Sequence, residues 1–407
     1  MVFESKPALL ALVALSLASF LYVTTEALPI GLLPLIAHDL GASESAVGLL
    51  VTGYGLVVVV VSLPLAKLTR RFPRRRLLCV LLAVFAVATF LSAVAWDHGS
   101  LMAARMVTAL SQALFWAVVT PAVADLFRPA VRGRALSILY AGASAAAPAG
   151  VPAGTWLGQQ TDWRVAFLAL SGLGLLVLAT VAAVLPGDRP AGHGAVDGGT
   201  SPDRGRYLSI VATTMLSITA AFAAYTYISP FLTGVSGFSE SAIGPLLLAR
   251  GIAGLAGVYV AGRLVDRYGW LTMTGFVGLQ VPALAGQYAF GASPVAAVVT
   301  ICLSGFTLAG LTAVLGSRVL VYAPGEPVMA SAGSSMAFNV GITAGALLGG
   351  VLLPGAGVRS TALAGALLSL AALAVVLAEP AVSSRRKVVA ATTGQALAKV
   401  TQPPQRP

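Results

Sequence analysis

Twelve long apolar stretches run through this chain of 407 residues, and they decide what it can fold into. A transmembrane helix needs about 20 consecutive apolar residues. Each stretch reaches about that length, and none shows the alternation of a barrel strand. The sequence therefore predicts an all-α membrane protein with twelve transmembrane helices, or spans, numbered here in chain order. They cover residues 8–36, 46–66, 77–96, 100–124, 135–158, 165–186, 207–231, 241–262, 271–292, 295–317, 330–352 and 360–379.

The charged residues predict the orientation of these spans in the lipid bilayer. Only 10% of the residues are charged, whereas about 25% is usual for a soluble protein. Cytoplasmic loops carry the excess of lysine and arginine, so we expect both termini in the cytoplasm. In that orientation 21 of the 25 basic residues face inward: Lys6, the six in 67–76, Arg128, Arg132, Arg134, Arg189, Arg204, Arg206, Arg263, Arg267, Arg318, Arg385, Arg386, Lys387, Lys399 and Arg406.

Several classes of function are excluded by what the sequence lacks. The net charge of +11 follows from membrane topology, and no segment is long enough to form a basic soluble domain for nucleic acid. Cys79 and Cys302 lie in separate spans, so neither a disulfide nor a metal site is expected. No catalytic or nucleotide-binding motif occurs. The chain is therefore predicted not to be an enzyme and to need no cofactor.

The spans divide into two halves of six. A glycine-rich and charged connection, residues 187–206, reads as a cytoplasmic linker. It separates a bundle over 1–186 from a bundle over 207–379, and the tail over 380–407 is predicted to be disordered. The loop after span two aligns with the loop after span eight at a constant offset, which indicates two pseudo-repeats.

Small residues recur at every fourth position in two spans that correspond to each other in the halves. Such stripes let helix backbones approach closely. Span five carries Gly142, Ala146, Gly150, Gly154 and Gly158, and span eleven carries Gly341, Gly345 and Gly349.

These motifs resemble those of the major facilitator superfamily, in particular its twelve-helix drug:proton antiporters close to bacterial sugar and chloramphenicol efflux proteins. The superfamily motif G-x-x-x-D-R-x-G-R-R is similar to the second-half loop, with Gly262, Asp266, Arg267 and Gly269. In the first half Arg71 remains, but Ala66, Arg70 and Pro73 depart from the motif. The resemblance implies a cytoplasmic gate in these loops, with a different or weaker lock in the first half.

Two further stretches carry the resemblance. Arg105 with Ala109 resembles the span-four motif, and Gly142, Pro148, Gly150, Pro152 and Gly154 loosely resemble the span-five antiporter motif. Residues 154–164, GTWLGQQTDWR, look like the corresponding stretch of the sugar-efflux subgroup. The resemblance implies export of a small molecule in exchange for protons by alternating access.

Glu26 is the sequence's candidate for the proton carrier, because we place no other carboxylate inside a span. Acids within a membrane are costly and mark functional sites. Burial favours the protonated form and a nearby arginine the ionised form, so an approach of Arg105 in one conformation would switch the proton affinity. The alternatives are that Glu26 merely meets water near the outer interface and that Arg105 ties helix ends together.

The predicted substrate cavity is lined by polar and aromatic side chains of both halves. Arg250 lies deep in span eight and contacts either the substrate or a hydrogen-bond network. Gln112 and Trp116 share a helix face with Arg105, although packing alone would also explain Trp116. The remaining candidates are Tyr54, Tyr225, Gln280 and Asn339.

The sequence leaves the substrate and the direction of transport open. The favoured interpretation is proton-coupled efflux of a drug, sugar or secondary metabolite by a monomer in the bacterial cytoplasmic membrane. An uncoupled facilitator, an uptake symporter and a non-transporting sensor with the same fold remain as alternatives.

Overall fold

The computed structural model describes residues 6–69, 72–185, 201–324 and 327–400. Within these ranges the chain is helical and contains no strand. The helices are α1 (Lys6–Asp39), α2 (Glu44–Thr69), α3 (Arg74–Ala93), α4 (His98–Leu126), α5 (Pro129–Ala145), α6 (Val151–Gln160), α7 (Trp163–Val184), α8 (Arg204–Tyr225), α9 (Ile228–Gly234), α10 (Ile243–Phe290), α11 (Pro294–Tyr322), α12 (Pro327–Ala356) and α13 (Arg359–Val400).

The helices confirm the predicted fold class. Ten helices in the described residues are long and apolar enough to cross a membrane. The two remaining predicted spans differ in form rather than in position. Span nine, 271–292, is the second part of α10, which continues through a break at Tyr268 with φ −132° and ψ 41°. Span five is divided among α5, a π-helical segment at Ala146–Gly150, and α6.

Prolines explain why span five is not the regular helix that its length predicts. Pro148 and Pro152 have no backbone N–H, and each ring crowds the carbonyl four residues earlier. A π-helical turn at Ala146–Gly150 accommodates both. Span five is therefore three consecutive helical segments instead of one regular α-helix.

The two stripes of small residues pack in equivalent ways in the two halves. A side chain at Gly142 would meet Ser16, and one at Gly150 would meet Thr24, both on α1. In the second half, Gly341 faces Ile218 of α8. Span five thus lies close against span one, and span eleven lies close against span seven. This repetition agrees with the pseudo-repeats that the sequence indicated.

The halves meet at the end of the bundle that carries Asp39 and Glu44, called the closed end below. There the Ser229 hydroxyl of α9 donates to the Ile30 carbonyl of α1 at 2.6 Å. The side-chain amide of Gln159 donates to the Glu240 carbonyl across the same boundary. The conformation described here is therefore one in which the halves are joined at this end.

Two helices extend into the segments that the sequence assigned to the linker and the tail. Helix α8 begins at Arg204, inside the expected linker 187–206, and Ser201 N–H donates to the Val321 carbonyl at 3.1 Å. Helix α13 extends to Val400, where a disordered tail was expected. No proline and one glycine occur over 381–400, so the chain contains little that would stop the helix. Residues 186–200 and 401–407 lie outside the described part.

Candidate functional site

Four of the predicted site residues form one polar cluster in the first half, between α1, α2 and α4. The Gln112 amide nitrogen donates to Glu26 Oε2 at 2.6 Å. The Tyr54 hydroxyl donates to Gln112 Oε1 at 2.7 Å, which fixes the orientation of the amide. The Arg105 guanidinium lies 4.8 Å from the centre of the Tyr54 ring. We call these four residues the Glu26 cluster.

A proline in α1 explains where Arg105 binds. In a regular helix the Thr25 carbonyl accepts from the N–H of the residue four positions later, but that residue is Pro29. Arg105 donates instead to the Thr25 carbonyl at 2.8 Å and to the Glu26 carbonyl at 2.9 Å. Because a buried carbonyl needs a partner, Arg105 compensates for the missing N–H and ties α4 to α1.

Arg105 therefore does not form an ion pair with the carboxylate of Glu26. Among the described residues no ion pair within 4 Å joins the two side chains. Glu26 is half-buried, whereas Arg105 is fully buried. Its Oε2 receives the Gln112 amide, and no hydrogen bond to its Oε1 is present in the described part of the chain. The predicted approach of Arg105 is thus made to the backbone of Glu26 rather than to its acid group.

The same reasoning explains the contact between the halves. Pro34 removes the N–H that the Ile30 carbonyl would ordinarily receive. That carbonyl accepts from Ser229 of the second half. The two prolines of α1 therefore expose two carbonyls, one bound by Arg105 within the first half and one bound by α9 at the closed end.

Three other predicted residues meet in the second half. The Arg250 guanidinium lies 3.8 Å from the centre of the Tyr225 ring. Gln280 lies beside them and donates to the Ser217 carbonyl at 2.9 Å. One small cavity is lined by Ala221, Ala224, Tyr225, Ile228, Arg250, Gln280, Leu284, Gln287 and Ser304. The second half thus holds a cluster centred on Arg250.

A break between α8 and α9 separates the roles of two tyrosines. On a regular helix, Tyr225 and Tyr227 could not both face the cavity, because they are two positions apart. Helix α8 ends at Tyr225, where the ring stacks on Arg250. Tyr227 turns away, and its hydroxyl donates to the Ala346 carbonyl of α12 at 3.1 Å. Tyr227 therefore packs between helices near the closed end and does not line the cavity.

Trp116 and Asn339 join neither cluster in this conformation. Trp116 of α4 stacks in parallel on Tyr140 of α5, with ring centroids 5.9 Å apart. Asn339 donates to the Ser335 carbonyl of its own helix at 2.9 Å. Tyr140 was not among the predicted residues, because its partner lies in another span.

The loop motif after span eight is placed only in part. Gly262 and Arg267 are exposed, and the Arg267 guanidinium lies 5.3 Å from the Tyr268 ring centre. Gly269 lies against the side chain of Arg318. The side chain of Asp266, and Arg70 and Arg71 in the first-half loop, lie outside the described residues. The role of the motif as a gate stays a prediction.

A buried ion pair in the second half corrects two sequence interpretations. Arg318, assigned above to a cytoplasmic loop, is a buried residue of α11. It donates to the two carboxylate oxygens of Glu379 of α13 at 3.0 and 2.6 Å. Glu26 is therefore not the only acid inside a span. The sequence could have shown this second acid, because Glu379 is the last residue of predicted span twelve.

The antiporter-like stretch of span five contacts both halves. Gly142, Gly150 and Gly154 lie against Ser16, Thr24 and Leu28 of α1. On the opposite side, Pro148 packs against Gly251 of α10 in the second half. Pro152 is buried at the start of α6. The stretch thus lies where the two halves touch.

The adjoining stretch ends in an ion pair at the closed end. Arg164 donates to Asp39 Oδ2 at 2.6 Å and to the Ala95 carbonyl at 3.0 Å. The Trp163 indole N–H donates to the same carboxylate oxygen at 3.1 Å. These two residues join the start of α7 to the end of α1.

Two repeated helical bundles with polar clusters inside the spans form the architecture of a secondary membrane transporter. A sequence model of the Major Facilitator Superfamily matches residues 15–315. The chain belongs to that superfamily.

Relatives support the same assignment, and solved structures share the fold. The chain is 32% identical over 369 residues to a probable sugar efflux transporter of Helicobacter acinonychis (strain Sheeba), covering 90% of this chain and 94% of the relative. A bacterial homologue of the human lysosomal transporter Spinster, in an inward-facing and unoccupied conformation, matches with a TM-score of 0.74 at 14% identity, covering 94% and 98% of the two chains. The nucleoside transporter NupG matches with a TM-score of 0.73 at 12% identity, covering 91% and 99%.

Proposed function

We propose that this protein exports a small, sugar-like molecule across the bacterial cytoplasmic membrane in exchange for protons, by alternating access. The relative of Helicobacter acinonychis carries the name of a sugar efflux transporter, which supports the direction and the substrate class. In this proposal the protein acts as a monomer with both termini in the cytoplasm. The two bundles rock about the span-five stretch, and the segment 187–206 connects them.

The observation that carries the proposal is that the Glu26 carboxylate forms no ion pair with Arg105. A carboxylate locked by an arginine ion pair stays ionised, but Arg105 donates to backbone carbonyls instead. Helix α4 is therefore tied to α1 whether or not Glu26 carries a proton. The acid can gain and lose a proton without loosening the helix contact that positions it.

Competition for one oxygen would couple the substrate to the proton. Glu26 Oε2 is held by Gln112, and Oε1 remains as an acceptor for a substrate hydroxyl. Such a hydrogen bond favours the ionised acid, whereas a proton on Oε1 turns that oxygen from a charged acceptor into a donor and weakens its hold on a substrate hydroxyl that donates to it. Proton and substrate then oppose each other's binding by the same factor. A carrier with that property exchanges one for the other.

The test is proton-driven accumulation of substrate in proteoliposomes. Purified protein is reconstituted, a pH gradient is imposed, and uptake of radiolabelled arabinose, lactose and chloramphenicol is measured. The wild type is expected to accumulate at least one compound against its gradient. Glu26→Gln is expected to lose accumulation while keeping exchange of labelled for unlabelled substrate. Glu240→Gln, the same change at an exposed acid, is the matched control and should behave as wild type.

Three results would contradict the proposal. Accumulation that survives in Glu26→Gln would remove the acid from proton coupling. Equilibration of a compound without accumulation in the wild type would indicate an uncoupled facilitator. Proton and substrate moving in the same direction would indicate an uptake symporter.

A further inference from the structure

Three arginines are buried in the described part of the chain, and they differ in the groups that compensate their positive charge. Arg105 donates to the Thr25 and Glu26 carbonyls, and Arg318 pairs with Glu379. Arg250 is 7% exposed and has neither a hydrogen bond nor an ion pair to any described residue. Because a buried charge is costly without a counterion, Arg250 needs a partner that the described residues do not supply.

The surroundings of Arg250 orient its guanidinium without neutralising it. The guanidinium carbon lies over the Tyr225 ring, 3.8 Å from its centre, and this cation–π contact leaves the N–H groups available as hydrogen-bond donors. A planar fork of this kind binds a carboxylate or phosphate through two hydrogen bonds. Arg250 and Tyr225 line the same small cavity of the second half. This arrangement suits the binding of an anionic group beside Tyr225.

Two amides in the same cavity add a second requirement. Gln280 donates to the Ser217 carbonyl, and its Oε1 is a buried acceptor without a partner among the described residues. Gln287 is 2% exposed, and its amide has no hydrogen bond in the described part of the chain. A free amide oxygen calls for a hydroxyl or another donor. A ligand that satisfies this cavity therefore carries both an anionic group and hydroxyls.

We infer that Arg250 anchors an anion-binding subsite, and that the transported molecule is a polyhydroxy acid, that is, a sugar acid or a sugar phosphate. The inference rests on the proposed function, because it names the substrate class of that carrier. In it, Arg250 binds the anionic group in the second half, and Gln280 and Gln287 bind hydroxyls. A further hydroxyl reaches Glu26 in the first half, so that one molecule contacts both halves.

Matched sugars test the charge requirement directly. D-galacturonate and D-galactose differ at one carbon, which is a carboxylate in the first and a CH₂OH in the second, and D-galactose 6-phosphate carries a phosphate there. Affinities of the purified full-length protein are measured by isothermal titration calorimetry. At least one of the two anions is expected to bind about tenfold or more tighter than galactose. The anion that binds more tightly shows whether the substrate class is the sugar acids or the sugar phosphates.

Variants test whether Arg250 is responsible. Arg250→Gln is expected to weaken binding of the preferred anion by about tenfold to hundredfold and to change galactose binding by less than about threefold. Arg250→Lys keeps the charge but loses the fork, so an intermediate loss is expected. Arg263→Gln is the matched control, because Arg263 lies on the same helix and on a tyrosine ring but is exposed. It should leave all three affinities unchanged.

A local readout places the ligand and guards against a misfolded variant. Cys302 lies on α11 close to Ser304, which lines the same cavity, and to Gly305, which packs against Arg250. In a Cys79→Ser background, the preferred anion should slow alkylation of Cys302 by N-ethylmaleimide at least threefold, and galactose should not. Retained galactose binding by Arg250→Gln shows that this variant is folded. If that variant does not fold, the affinity of Arg250→Lys for the anion and the protection of Cys302 from alkylation decide whether Arg250 binds the anion.

The outcomes separate this inference from the proposed function. The inference is overturned if neither anion binds tighter than galactose, or if the loss in Arg250→Gln equals that in Arg263→Gln. Proton-driven transport of a neutral sugar with no preference for either anion would overturn the inference and leave the function standing. Anion binding through Arg250 in a protein that shows no proton-linked transport would support the inference and overturn the function.

Discussion

The buried pair of Arg318 and Glu379 gives the most quantitative prediction for this protein. The side chains are 5% and 2% exposed and are joined by two hydrogen bonds, at 3.0 and 2.6 Å. Glu379→Gln removes the counterion but leaves an oxygen that can accept one of these bonds. Breaking a buried pair costs about 3 to 5 kcal/mol, because the remaining charge is uncompensated. With one bond retained, a loss of about 3 kcal/mol in the free energy of unfolding is expected.

An exposed pair on the same molecule provides the control. Arg164 and Asp39 are joined at 2.6 Å, but their side chains are 28% and 41% exposed. Water screens such pairs, which contribute about 0 to 1 kcal/mol. Asp39→Asn should therefore lower the free energy of unfolding by less than about 1 kcal/mol. Both variants make the same chemical change from acid to amide, so the difference between them reports burial.

The assay is reversible unfolding in mixed micelles of increasing dodecyl sulfate content, followed by circular dichroism. A double variant, Arg318→Met with Glu379→Leu, separates the cost of an unpaired charge from the value of the pair. Replacing both partners by apolar residues should recover most of the stability that Glu379→Gln loses. The reasoning is refuted if Glu379→Gln is as stable as Asp39→Asn, or if the double variant is destabilised by the sum of the single changes.

Two further predictions concern helix packing and conformational change. Gly142→Ala places a methyl group against the Ser16 carbonyl and should lower the free energy of unfolding by about 1 to 3 kcal/mol. Gly172→Ala is the control, because its methyl group meets no atom within 4 Å and should not destabilise the protein. Equal stabilities of the two variants in the same unfolding assay would contradict close packing at Gly142. An ideal Cβ on Gly244 lies 3.3 Å from the Trp156 Cβ, so Trp156→Cys with Gly244→Cys should form a disulfide at the closed end and stop transport until it is reduced. Wild-type transport by the fully oxidised protein would show that this end does not open.

Much of the fold follows from local patterns that a single sequence displays. The length of each apolar stretch fixes the helices, because an unpaired backbone group in lipid is too costly for other structures. The spacing of Gly142, Gly150 and Gly154 predicts a close helix contact, and the structure confirms that contact on α1. An isolated acid such as Glu26 can be recognised in the sequence for a related reason, because a charged side chain in the membrane is costly and usually marks a functional site.

Partnerships between helices could not be predicted in this way. Arg318 and Glu379 are 61 residues apart, and no periodicity within one helix relates them. Pro29 frees the carbonyl that Arg105 binds, but the sequence does not show which helix supplies the donor. The rotation of each helix against its neighbours decides these contacts.

The sequence by itself determined the all-helical membrane class and marked Glu26, Arg105 and Arg250 as charged residues inside the spans. The tertiary structure alone decided how each charge is met: Arg105 by two carbonyls, Arg318 by Glu379, and Arg250 by no described residue. The physical reason is that helix formation depends on neighbours along the chain, whereas the energy of a buried charge depends on the groups that packing brings within a few ångströms of it.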